Sequence, residues 1–174
     1  RPGIATIELA PHPAAPDGAG EICARGPQVF LGYLHPADDA DAFDAEGRFR
    51  TGDLGRLVDG HLVVTGRAKD IIIRNGENIA PREVEDVLLG HPDVDEVAIV
   101  GLPDPRTGER ACAVVVSSAH PAPGVADLAE FLAVNGVAKF KSPEQVVVWD
   151  ALPKNDAGKI LKHRIRARLV DTDE

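Results

Sequence analysis

The chain has few of the residues that build metal centres and disulfide scaffolds. Its two cysteines, Cys23 and Cys112, lie far apart and form no CxxC pair. Neither a zinc site nor a disulfide framework is expected, and this usage fits a reducing cytosol. The six histidines are scattered, with no HExxH and no pair at helical ligand spacing, so no metal-ligand cluster is expected. No stretch approaches the roughly 18 apolar residues of a membrane span. No basic segment followed by an apolar one opens the chain as a secretory leader would. Positive charge is in deficit: 19 Lys and Arg stand against 28 Asp and Glu, a net charge of −9. That argues against a general nucleic-acid binder, which needs a basic surface. Internal repeats and low-complexity tracts are absent.

What is present is the composition of a globular protein, with 44% hydrophobic and 27% charged residues. The 174 residues allow one ordinary domain or two small ones with a real core. The opening "RPGIATIELAPHP" starts inside a strand-like pattern without an initiator methionine, and reads as a piece of something longer.

The patterning divides near residues 67–70. Before that point, "IATIEL" (4–9), "EICARG" (21–26) and "VFLGYL" (29–34) read as short strands, with "PDGAG" (16–20) as a turn. "PADDADAF" (36–43) reads as a short acidic helix, and residues 44–67 as a hairpin turning at Asp59-Gly60. After it, "KDIIIRN" (69–75) is a strand and "GENIAP" (76–81) a glycine-containing loop. "PREVEDVLLGH" (81–91) is a helix with Pro81 in its first turn and Val84, Val87 and Leu88 on one face. "VDEVAIVGLP" (94–103) and "ACAVVVSS" (111–118) are strands around the polar loop "DPRTGER". "VADLAEFLAVNG" (125–136) is a helix presenting Leu128, Phe131 and Leu132 and stopping at Gly136. "QVVVWD" (145–150) is a strand, and "ILKHRIRARLV" (160–170) the closing helix. Strands and helices mix without strict βαβ alternation, so the fold class is α+β: a small β-rich subdomain, then three helices around a small sheet.

Several short stretches carry chemistry. "PKNDAGKILK" places Lys159 after a glycine, at the end of a polar loop and the start of a basic helix. It is not a phosphate-cradling P-loop, because Ile160 follows the lysine and Asn155 stands where the first glycine should be. "TGD" puts Asp53 in a glycine-permitted turn, where its carboxylate can accept two hydroxyl hydrogen bonds or simply bond its own backbone. Arg67 in "GRAKD" offers a planar fork for hydroxyls or phosphate, or is a surface arginine. Gly76 in "RNGENIAPREVE" lets a narrow ligand pass close to the backbone, or belongs to a loop entering a helix. Glu83 and Glu85 then merely favour the helix N-terminus. Lys162, Arg164, Arg166 and Arg168 read as a solvated face.

Their order decides more than any one of them. "FRTGDLG", "GRAKDIIIRNGENIAPREVE", "VAKFKSP" and "LPKNDAGKILK" together resemble the acyl-adenylate-forming enzymes: acyl-CoA synthetases, peptide-synthetase adenylation domains and firefly luciferase. The resemblance covers nearly the whole chain. It implies residues 1–66 as the distal β-subdomain of the large N-terminal AMP-binding domain, 67–70 as a hinge, and 71–174 as the mobile C-terminal domain. It further implies that Asp53 holds the ribose hydroxyls of ATP and then of the acyl-AMP, with Arg67 at the same nucleotide. Lys69 falls at the hinge, Gly76 lines the tunnel for the CoA pantetheine arm, and Lys159 is the adenylation lysine. The implied cosubstrates are a carboxylic acid, ATP and CoA, with Mg2+ arriving on ATP and no metal ligand in this stretch. The adenine pocket, the acyl pocket and the phosphate loop would lie upstream of Arg1, so this stretch alone is expected to be inactive. "GENIAPREVEDVL" and "PEQVVVWDALPKNDAGKILK" look most like bacterial fatty-acid and cyclic-acid ligases of the cytoplasm. A carrier-protein-loading or stand-alone adenylation enzyme is the alternative reading, and a catalytically idle interaction module a third.

Overall fold

The computed structural model describes residues 5–15 and 18–171. Ile4 of the first expected strand, and Pro16 and Asp17 of the expected "PDGAG" turn, lie outside them. The chain divides into two compact units, Arg1–Lys69 and Asp70–Glu174.

The first unit is a four-stranded antiparallel sheet in the order β1 (Thr6–Ala10), β2 (Gly20–Arg25), β3 (Phe49–Val58), β4 (His61–Arg67). Asp59 and Gly60 both take positive φ, 50° and 78°, the twist that a two-residue hairpin turn needs. Its apolar interior is small, built on Ile22, Cys23 and Leu54. "VFLGYL" is not a strand: no ladder forms there, and Leu31 and Leu34 stand almost fully exposed. Gly32 (φ 154°) breaks the extended run, and the Tyr33 N–H donates 2.8 Å to Asp39 Oδ1 instead of to a neighbouring strand. Asp39 opens the expected short helix α1 (Asp39–Ala42). Phe30 packs edge-on against Tyr33 and Phe49 and tilts against Phe43, so this segment is held by rings rather than by a ladder.

The second unit is built on β5 (Ile72–Arg74), β6 (Glu77–Ile79), β7 (Glu96–Asp104), β8 (Gly108–Val116) and β9 (Gln145–Val148). Its helices are α2 (Pro81–Leu88), α3 (Val125–Val134) and α4 (Lys162–Val170). The sheet order is β6-β5-β8-β7, with β9 added parallel to β8 after the α3 crossover. Alternate residues of β7 and β8 feed two separate cores. Val97, Ile99, Ala111, Ala113 and Val115 pack on Val84 and Leu88 of α2 and on Leu128 and Leu132 of α3. Ala98, Val100, Leu102, Cys112 and Val114 pack on Leu152 and on Ile165 and Leu169 of α4. A sheet covered on both faces must be apolar at every position, which is why "VAIVGL" and "ACAVVV" read as unbroken apolar runs. The α+β class and the three helices around a small sheet are as the sequence implied.

Two boundaries differ. "GENIAP" is not all loop: Glu77–Ile79 pairs antiparallel with Ile72–Arg74, turning on Asn75 and Gly76 at φ 50° and 80°. The Asn-Gly pair is the usual signal for such a turn. β7 and β8 also extend into "DPRTGER", leaving Pro105–Thr107 as the connection. Asp104 closes that turn by accepting the Arg106 and Thr107 N–H groups at 2.9 and 3.0 Å.

Candidate functional site

Asp53 sits where the first sheet is deliberately irregular. Glu21 pairs with Leu54 and Cys23 with Arg50, so Thr51, Gly52 and Asp53 on β3 oppose Ile22 alone on β2. Such a bulge bends the strand and re-aims its side chains. Gly52 supplies the positive φ of 70°, with open space around it, so backbone shape rather than crowding requires glycine. The Thr51 hydroxyl donates to the Ile22 carbonyl at 2.8 Å and accepts the Asp53 N–H at 3.1 Å. On the other flank Asp53 pairs across the ladder with Arg67, and Arg67 Nε donates to Asp53 Oδ1 at 2.6 Å. Both side chains are about a third exposed, 36% and 38%, so the pair faces solvent. Asp53 Oδ2 has no partner among the described residues and stays open as an acceptor. The structure thus brings together two groups that the sequence offered separately.

Behind this pair stands a group the sequence reading passed over. Glu21 is 4% exposed, the one buried charged residue among the described residues. Its Oε2 accepts Arg50 Nε and Nη2 at 3.0 and 2.8 Å, and its Oε1 accepts the Gly52 N–H at 3.2 Å. That contact pushes the Arg50 guanidinium further up. Burial raises the neighbouring Cys23 thiol, and the Glu21 charge raises it further. A charged residue at the start of the apolar strand "GEICAR" was the available signal.

Lys69 is exposed in a short 3₁₀ turn, Ala68–Asp70. Asp70 meets Arg166 of α4 at 3.3 Å. Gly76 is exposed at the β5–β6 turn with nothing near its missing Cβ, so positive φ again demands the glycine. No described contact joins Gly76 to Lys159.

Lys159 lies in a tight loop rather than at the start of a helix, since α4 begins at Lys162. A bridge between Lys154 and Ile160 closes the loop. Inside it, Asn155 N–H donates to the Lys159 carbonyl at 3.0 Å, and the Lys159 N–H to Asn155 Oδ1 at 2.8 Å. Gly158 provides the positive φ of 78°. The Lys159 side chain projects into solvent, and its ammonium makes no ion pair among the described residues. The backbone is fixed and the long stem is free.

Other charges turn out to be structural. Glu83 takes Lys141 at 2.6 Å, and Glu85 takes Lys162 at 2.7 Å while accepting the Ile99 N–H at 2.7 Å. They do more than favour the start of α2. The basic α4 is likewise not simply a solvated face: Lys162 and Arg166 are paired, and the Arg168 guanidinium lies 4.2 Å from the Trp149 ring centroid. Arg74 clasps Glu144 through two 2.8 Å bonds, and this contact holds the Glu144 carboxyl below its usual range. Among the described residues no group of three His, Cys, Asp or Glu can hold a metal ion. No described helix is long and apolar enough to cross a membrane.

Residues 83–159 match the AMP-binding enzyme C-terminal domain. The medium-chain fatty-acid–CoA ligase of Escherichia coli K12 is 43% identical over 96% of this chain, which spans 30% of that enzyme. A salicyl-AMP ligase/salicyl-S-ArCP synthetase of Mycobacterium tuberculosis is 44% identical over 91% of the chain and is spanned to 28% of its length. Among solved structures, ATP-bound MatB from Rhodopseudomonas palustris superposes with a TM-score of 0.85 at 32% identity, over 98% of this chain and 35% of that one.

Proposed function

Taking as premise that the chain belongs to the adenylate-forming, AMP-binding enzymes and carries their C-terminal domain, we propose that it is the terminal part of an ATP-dependent, AMP-forming acyl-CoA ligase. Its substrate is a fatty or alicyclic carboxylic acid. The observation that carries the reading is the solvent-facing Asp53–Arg67 pair, held on a bulge with one carboxylate oxygen open. That oxygen and the guanidinium suit a ribose diol beside a phosphate.

The acid's carboxylate oxygen attacks the α-phosphorus of ATP, forming the acyl–phosphate bond and releasing pyrophosphate. The thiol of CoA then attacks the acyl carbon, and AMP leaves with its electron pair as the thiol proton is lost. Lys159 acts in the first step. Two anions meet there and charge grows on the phosphoryl oxygens, so a positive charge on a long stem stabilises the transition state. Its rigid loop and free ammonium suit that task. Asp53 and Arg67 hold the nucleotide through both steps. Lys69 is the residue whose backbone changes between them, and Gly76 borders the path of the pantetheine arm. Mg2+ enters with the ATP phosphates. Cys23 and Cys112 are buried and neither is in a disulfide, which suits a reducing cytoplasm.

The aryl-AMP ligases among the relatives favour a second reading, in which an aryl acid is loaded onto a carrier protein. Incubating the full-length protein with ATP, a panel of fatty, alicyclic and aryl acids, and either CoA or a carrier protein separates the two. The first reading expects AMP and a CoA thioester from the non-aromatic acids. An acyl-carrier product from aryl acids, with CoA left unused, would overturn it in favour of the second.

A further inference from the structure

The Glu21 carboxylate is buried and remote in sequence from Asp53, yet its bonds end inside the bulge that carries Asp53 and on the residue just before it. Oε1 holds the Gly52 N–H, and Oε2 holds the Arg50 fork on the strand just before the bulge. Burying a carboxylate is unfavourable unless every lone pair finds a donor, and an apolar residue in the core of β2 would have served packing alone. What the carboxylate adds is geometric. Three residues facing one would relax into several backbone conformations. Glu21 pins the middle residue, Thr51 pins the two ends to Ile22 and Asp53, and Arg67 then meets a carboxylate already in place.

We infer that Glu21, neutralised by Arg50 and assisted by Thr51, is a positioning residue for the nucleotide ribose: it fixes the bulge so that Asp53 Oδ2 points outward as an acceptor. This rests on the reading of Asp53 as the ribose ligand. Glu21 touches no substrate; it acts through the Gly52 peptide. A carboxylate held in one orientation selects for the ribose hydroxyl it accepts from, while a wandering one also bonds water and loses that selectivity.

The test uses full-length protein and compares kcat/KM for ATP with that for 2′-deoxy-ATP and 3′-deoxy-ATP. Each ratio is measured on one enzyme sample, so it is unaffected by the fraction that has folded. The parent protein should prefer ATP over at least one deoxy analogue by about ten- to a hundredfold, the usual worth of a hydrogen bond to a charged group. Asp53→Ala should bring that preference close to unity. Glu21→Gln should narrow it by roughly three- to tenfold, chiefly through a higher KM for ATP. Thr51→Val, which disturbs the same bulge without touching a buried charge, should shift the ratio in the same direction if Glu21→Gln protein cannot be obtained. A collapsed preference in Asp53→Ala with the parental preference kept in Glu21→Gln or in its Thr51→Val substitute would overturn the positioning role and leave the ribose reading standing. A parental preference kept in Asp53→Ala would overturn both.

Discussion

The role proposed for Lys159 rests on what its side chain lacks. Its backbone is tied on both sides to Asn155, and Gly158 turns the chain immediately before it, but the ammonium makes no ion pair among the described residues. An ammonium locked in a salt bridge would first have to break it. Lys159→Ala in the full-length enzyme should therefore lower acyl-AMP formation by about 10²–10³-fold, the usual loss for one charge contact at a transition state. Thioester formation from supplied acyl-AMP should be largely spared. Equal damage to both half-reactions, measured by rapid quench, would remove Lys159 from the first step. Asn155 was visible in the sequence only as the residue that spoils a P-loop. Its function, bonding the lysine's own backbone, depends on a loop closure that no local pattern announces.

At the scale of elements, the free edge of β7 carries a device of the same kind. Glu85 reaches from α2 to the Ile99 N–H, and Lys162 reaches the same carboxylate from α4, so the helices on opposite faces of the sheet meet at its edge. Both side chains are mostly buried, 15% and 17% exposed. Glu85→Ala leaves a strand N–H and a mostly buried ammonium without their acceptor. It should cost about 1–3 kcal/mol in urea denaturation, and a loss below a few tenths would show that the staple is ornamental. The Asp104 turn supplies a pH test. Backbone N–H bonds from Arg106 and then Thr107 hold this carboxyl below its ordinary range. The stability it adds is therefore present above the unfolded-state value and is lost as pH falls through the lower folded value. Asp104→Asn should flatten that part of the acid limb of a stability profile; an unchanged limb would contradict the assignment. Elements such as α2 and β7 were legible because periodicity and burial agree along them. "VFLGYL" misled because an apolar run with a glycine inside also suits an aromatic cluster, and ring contacts such as Phe30–Phe49 are not written in periodicity. The β5–β6 pairing was missed although Asn75-Gly76 marks it, since three-residue strands are too short to show alternation.

For the molecule as a whole, the order of motifs revealed what single motifs could not. Asp53 and Arg67 are fourteen residues apart in sequence and face each other only because β3 and β4 pair in one register. Glu21 was marked only as a charge in an apolar strand; its role was illegible because its partners depend on a bulge. Restricting the backbone at Lys69 with Lys69→Pro should slow the thioester step more than adenylation; normal rates for both would move the pivot elsewhere. The isolated 174-residue chain should bind ATP weakly, since Asp53, Arg67 and Lys159 offer only ribose and phosphate contacts and unassembled sites lose affinity to ordering. Micromolar binding by calorimetry would mean that it holds a fuller nucleotide site. The central claim, that the whole protein activates a carboxylic acid by adenylating it, is tested most directly by isotope exchange between pyrophosphate and ATP in full-length protein. The account predicts exchange that requires the acid, proceeds without CoA, and drops sharply in Lys159→Ala. Exchange that ignores the acid, or turnover yielding ADP and phosphate in place of AMP and pyrophosphate, would contradict it.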